Sequence, residues 1–166
     1  MSAVTGGAAE RMPIRLRVNG REVQALIEPR ELLLDFLRER LGLTGAKRSC
    51  DVQVCGACTV LVGGIPMSAC CTLAYEARGQ EVTTVEGLAG DGRLHHLQRA
   101  FIEHTAVQCG FCTPGMLLSI VALLQENPHP DRRELCRHLS GNLCRCTGYW
   151  NILEAVEAAV EEAETA

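Results

Sequence analysis

Residues 50–60 read Cys-Asp-Val-Gln-Val-Cys-Gly-Ala-Cys-Thr-Val. Three thiols, Cys50, Cys55 and Cys58, sit close together in a stretch that lacks helical periodicity, so it is read as a loop. Cys70 follows after eleven further residues. The flanking segments say what holds this loop. Upstream, Ile14–Val18 alternates apolar and basic residues, and a β-like run from Glu22 to Ile27 follows Asn19-Gly20. Asn-Gly between two such runs predicts a hairpin, because both turn positions need positive φ. Pro29 is expected to open a helix with Leu33, Phe36, Leu37 and Leu41 on one face, stopped by Gly42. Downstream, Thr59–Val62, Gly63-Gly64 and Pro66–Ser68 form a second candidate hairpin, and Glu81–Val85 is the expected last strand. Strands, one helix and a cysteine loop make a small α+β unit.

After Gly87 the pattern turns helical. Leu94–His104 is amphipathic. Thr113-Pro114 is expected to cap and launch Met116–Gln125. Asp131 through Glu134 has a capping-box pattern ahead of a short helix to Leu139, and a last helix runs from about Tyr149. These helices enclose a second set of thiols, Cys109-x2-Cys112 and Cys144-x-Cys146, each pair just ahead of a helix start. Four helices around cysteine loops read as a small bundle. The expected organisation is a lead-in over residues 1–11, flexible by composition, then a first domain over 12–88 and a second over 89–166.

Four converging thiolates bind a soft metal centre. The x4, x2 opening of the first quartet is the plant-type [2Fe-2S] ferredoxin spacing, with Cys70 as the closing ligand. Four-cysteine zinc sites usually pair two short knuckles, which the first quartet does not. For the second quartet, spacing alone leaves zinc and iron–sulfur both open, and a zinc-stabilised binding module is the alternative function. A stand-alone two-cluster ferredoxin is another.

The bulk numbers exclude other classes. Net charge is −4, and half of the ten acidic residues after residue 88 lie on the last segment (Glu154, Glu157, Glu161, Glu162, Glu164), as on a solvated helix face. No basic stripe suits nucleic acid, and no apolar run is long enough to span a membrane. Residues 1–11 have no apolar core of a secretory signal. Ten cysteines without export indicate metal ligation in the reducing cytoplasm.

Three longer motifs carry a family resemblance. Cys55-Gly-Ala-Cys-Thr-Val60, Gln108-Cys-Gly-Phe-Cys-Thr-Pro-Gly-Met116 and Gly141-Asn-Leu-Cys-Arg-Cys-Thr-Gly-Tyr149 resemble, in order and interval, the small iron–sulfur subunit of the molybdenum hydroxylases. That family includes xanthine oxidase, aldehyde oxidoreductase and carbon monoxide dehydrogenase. The resemblance implies a β-grasp ferredoxin domain followed by a four-helix bundle, each holding one [2Fe-2S] cluster. It implies a large partner with molybdopterin, in the cytosine dinucleotide form, and a medium partner with FAD. Electrons would pass singly from the pterin through Cys109, Cys112, Cys144 and Cys146, then through Cys50, Cys55, Cys58 and Cys70, to the flavin. Gln108 matches the glutamine that bonds the pterin, and Cys146 the ligand that touches its amino group. No residue of this chain is expected to perform substrate chemistry.

Several residues stand outside these motifs. Asp51-Val-Gln-Val54 replaces a more glycine-rich loop of the relatives. Cys71, by strand alternation, and Cys136, inside a helix, are expected to be small buried residues. Trp150 is expected to be partly buried. Arg145, between two cysteines, is placed to offset cluster charge, and the histidines show no ligand spacing. Gly56 is expected to let backbone N–H groups approach the sulfurs.

Overall fold

The computed structural model describes residues 11–90 and 92–165; the expected lead-in, apart from Arg11, lies outside the described residues. The strands are β1 (Met12–Val18), β2 (Arg21–Ile27), β3 (Thr59–Val62), β4 (Ile65–Ser68) and β5 (Glu81–Thr83). They form one mixed sheet in the order β2-β1-β5-β3-β4. The β1–β2 hairpin is antiparallel with Leu16 opposite Val23, and Asn19 (φ 50°) and Gly20 (φ 77°) supply its turn. β1 and β5 run parallel, while β3 is antiparallel to both β4 and β5.

Along β1 the alternation works as read: Ile14, Leu16 and Val18 are buried and the residues between them face out. They pack on Leu33, Leu34, Phe36 and Leu37, all fully buried. Each such side chain contributes about 1.5–3 kcal/mol through burial.

The helix over these residues departs from the expectation. It begins at Leu33 rather than Pro29, as a short α1 (Leu33–Asp35) that widens into a π-helical turn, Phe36–Arg40. Pro29 and Arg30 instead form a turn closed by the Glu31 amide on the Glu28 carbonyl, and Leu32 is extended and bridges to Leu73. β5 is also shorter than expected. The Thr84 amide bonds the Asn19 side chain at 2.9 Å, which draws the chain off the sheet into a turn at Val85–Gly87.

Four longer helices follow: α2 (His96–Glu103), α3 (Thr113–Glu126), α4 (Arg132–Leu139) and α5 (Trp150–Thr165). α2 and α4 pack on α5, and α3 packs on α4 and on β3. A second apolar cluster joins them through Leu97, Phe101, Met116, Ile120, Ile152 and Val156. A small third cluster, Leu61 of β3 with Leu118 and Ala122 of α3, joins helices to sheet.

The caps differ in detail from the reading. Thr113 lies inside α3 and Cys112 occupies the cap position, with no side-chain cap bond. Asp131 caps α4 by accepting from the Glu134 amide at 2.7 Å, but Glu134 turns outward to accept from Asn127 at 2.8 Å. Among the described residues no helix is long and apolar enough to cross a membrane.

Candidate metal centres

The eight candidate thiols meet two by two. In the first set Cys50 lies near enough to Cys55, and Cys58 to Cys70, for each thiol to shift its neighbour's titration. In the second set Cys109 and Cys146 have Sγ atoms 3.5 Å apart, and Cys112 contacts Cys144. Among the described residues no three His, Cys, Asp or Glu side chains close around a single ion position. A tetrahedral centre with metal–sulfur bonds of about 2.3 Å has S···S edges of about 3.8 Å. The Cys109–Cys146 separation of 3.5 Å is close to one such edge, and the pairwise grouping fits a two-iron cluster taking two protein sulfurs per iron.

The first loop is shaped around its sulfurs. Asp51 (φ 55°) and Gln53 (φ 59°) are left-handed, a region glycine enters without steric penalty, and they turn the Val54 amide onto Cys50 Sγ at 3.4 Å. Backbone N–H groups of Val52, Val54 and Cys55 push the half-buried Cys50 thiol down to about 6. Burial pushes Cys58 up to about 12. Arg48 ties the loop to α1 by pairing with Asp35 and, at 2.7 Å, with Asp51. Cys70 enters from the turn after β4.

The second site is built on two helix starts, as read. Cys112 occupies the N-cap position of α3, and burial pushes its thiol up to about 12. Burial also pushes Cys144 up, but Thr147, donating from Oγ1 at 3.1 Å and N–H at 3.5 Å, together with the Cys146 amide and Cys112, lowers its pKa overall. Cys109 is lowered by the Phe111 amide and then by Cys146. Tyr149, left-handed at φ 68°, holds the loop closed: its hydroxyl accepts from the Cys144 amide and donates to the Asn142 carbonyl, each at 2.9 Å. The roles of Thr147 and Tyr149 were not anticipated; the Thr-Gly-Tyr following the Cys-x-Cys pair was their only trace in the sequence. Gln108 is exposed on the same edge as exposed Cys109 and Cys146.

Gly56 has a task besides the one expected of it. It is left-handed at φ 68°, and a Cβ there would lie 2.4 Å from the Gly141 carbonyl oxygen. Its own carbonyl accepts from Thr59 Oγ1 at 2.8 Å and from Asn142 Nδ2 at 3.1 Å. Ser119 Oγ donates to the buried Asn142 Oδ1 at 2.8 Å. Gly115 of α3 lies equally close, since a Cβ there would meet Gly56 O at 2.1 Å. The two cysteine loops therefore touch, backbone to backbone, through residues singled out for other reasons or for none.

Three further expectations are corrected. Cys71 is exposed, because it lies in the turn after β4, where strand alternation does not apply. Cys136 is exposed because it falls at the solvent edge of α4, beside the buried stripe of Leu135 and Leu139. Trp150 is 62% exposed, with the Arg132 guanidinium 4.6 Å above its ring. Arg145 is exposed. Of the histidines, His95 caps α2 and His138 bonds the Ser119 carbonyl.

Residues 16–89 match the family described as 2Fe-2S iron-sulfur cluster binding domain, and residues 84–157 the family described as [2Fe-2S] binding domain. The chain is 49% identical over 151 residues to the nicotinate dehydrogenase small FeS subunit of Eubacterium barkeri, covering 91% of this chain and 96% of that one. It is 49% identical over 152 residues to the nicotine 6-hydroxylase small subunit of Paenarthrobacter nicotinovorans, covering 92% of each. Among solved structures it superposes on a chain of quinoline 2-oxidoreductase from Pseudomonas putida 86 with TM-score 0.89 at 47% identity, covering 95% of this chain and 98% of that one. It also superposes on the aldehyde oxidoreductase of Desulfovibrio desulfuricans ATCC 27774 with TM-score 0.88 at 42% identity, covering 92% of this chain but 17% of that longer one. The chain belongs to the molybdenum hydroxylase family, as its small [2Fe-2S] electron-transfer subunit.

Proposed function

We propose that Cys50, Cys55, Cys58 and Cys70 hold one [2Fe-2S] cluster and Cys109, Cys112, Cys144 and Cys146 the other. The paired sulfurs support this, with one pair on each iron. A cluster in each quartet supplies a one-electron acceptor. Deprotonating the buried Cys58 and the half-buried Cys112 couples assembly to proton release. The sheet unit with its α1 cover reads as a β-grasp domain over 12–88, and α2–α5 as a four-helix bundle over 89–166.

The exposed edge of the second site, with Gln108 and Cys146, faces the pterin of a large molybdopterin-binding subunit, in the cytosine dinucleotide form. A medium FAD-binding subunit meets the exposed loop of the first site. Electrons then run singly from pterin to second site, to first site, to flavin. The observation that carries this reading is the direct hydrogen bond from the Leu143 amide to the Cys55 carbonyl at 2.9 Å. It leaves one hydrogen bond and the Leu143–Cys144 linkage between the two candidate ligands. The assembly belongs in the cytoplasm, whose reducing poise suits the cluster thiolates.

Purifying the native complex on a tag at this chain tests the reading. The expected result is co-purification of a molybdopterin subunit and a flavin subunit with bleaching of the iron–sulfur bands on substrate addition. Elution of the chain alone, free of both cofactors, contradicts it.

A further inference from the structure

Cys71 is not accounted for by either quartet. It is exposed, and its Sγ lies 3.6 Å from Cys70 Sγ. Neighbouring side chains on a strand point to opposite faces. Here the chain has left β4 for a turn, fixed by the Cys71 amide on the Ser68 carbonyl at 3.0 Å, and the two sulfurs come together. The other contact of Cys71 Sγ is the Asp51 carbonyl oxygen at 3.7 Å.

When Cys70 is a cluster ligand it has no proton to give, so the only S–H of the pair is on Cys71. Two acceptors compete for that proton. The iron-bound Cys70 sulfur carries negative charge and is nearer, whereas the Asp51 oxygen is a neutral carbonyl, so the sulfur is the stronger partner. A hydrogen bond to a ligand sulfur stabilises the reduced, more negative cluster more than the oxidised one.

We propose that the Cys71 thiol donates a hydrogen bond to Cys70 Sγ and thereby raises the reduction potential of the first cluster. Cys71 is a positioning residue for electron transfer, acting through Cys70 without ligating iron. The inference rests on the reading of Cys70 as a ligand. Its consequence is directional: the bond makes the first site a better electron acceptor from the second.

EPR-monitored redox titration of the intact complex carrying Cys71→Ala or Cys71→Ser tests it, the second-cluster signal serving as the folding control. In Cys71→Ala the first-cluster midpoint shifts to more negative potential while the second stays put. Cys71→Ser, which keeps a donor, shifts it back towards wild type. A midpoint unchanged in Cys71→Ala overturns the proposal, as does a Cys71→Ser midpoint as low as that of alanine. Loss of the first signal in Cys71→Ala makes Cys71 a ligand and overturns it too. Absence of the first signal from the wild-type complex overturns the cluster reading and the proposal together.

Discussion

The Leu143 amide donates to the Cys55 carbonyl at 2.9 Å, so the backbone of one cysteine loop is hydrogen-bonded directly to the backbone of the other. Leu143 is itself exposed, so the contact is made by its main chain alone. Asn142 beside it is buried and reaches both Gly56 and Ser119. What joins the two sites is thus a short polar seam flanked by Leu61, Leu118 and Ala122.

Asn142→Ala is expected to destabilise the protein by about 1–3 kcal/mol, because Ser119 Oγ is left without its acceptor and Gly56 O loses a donor in a buried place. Thermal unfolding of the cluster-loaded protein checks this; an unchanged midpoint would show that water replaces the seam at no cost.

Gly115→Ala adds a methyl where Gly56 O would be 2.1 Å away, and backbone cannot swing aside. Overpacking of this kind costs about 1–3 kcal/mol. Separation of the loops should also slow electron passage between the clusters. Stopped-flow reduction at single wavelengths reads that rate, and unaltered kinetics in a folded variant would argue against the seam as the route.

Gln53→Gly should stabilise the first loop by about 0.5–1 kcal/mol, since Gln53 is exposed and held left-handed at φ 59°. Cluster loss under chelator should slow accordingly. Faster loss would mean that glycine's added freedom in the unfolded chain outweighs the relief of strain.

A pH effect is expected at α2. Burial and then His96 lower the pKa of His95 from 6.5, and its neutral Nδ1 accepts from the Leu97 amide at 3.3 Å. The fold therefore favours neutral His95, and the unfolded chain takes the proton first. The stabilisation is present in full above pH 6.5 and is lost as pH falls from there through the lowered folded value. The difference in Tm between wild type and His95→Asn, which keeps a cap acceptor that does not titrate, should shift against the wild type below pH 6.5. Parallel curves would remove His95 from the account.

Much of this was legible in the chain because the signals were local. Asn19-Gly20 gave the hairpin, and Ile14, Leu16 and Val18 gave its buried face. The Cys-x2-Cys and Cys-x-Cys pairs stand where helices begin. What could not be read was whatever depends on residues far apart in sequence. Asn142 and Gly56 look like ordinary loop residues until the two loops are set side by side. Gly115 looks like a weak spot in a helix until Gly56 O is placed against it. The helix predicted from Pro29 gave way because Leu32 pairs with Leu73, a contact that no local pattern announces. Cys71 was misplaced by applying a strand period one turn beyond the end of β4.

The central claim is that the two cysteine quartets each hold a two-iron cluster. Iron analysis with EPR spin quantification of the fully reduced native protein tests it most directly. The account predicts about four irons per chain and two distinct signals of about one spin each, of which Cys112→Ser removes one. Iron well below four, or a single signal in the wild type, would contradict it.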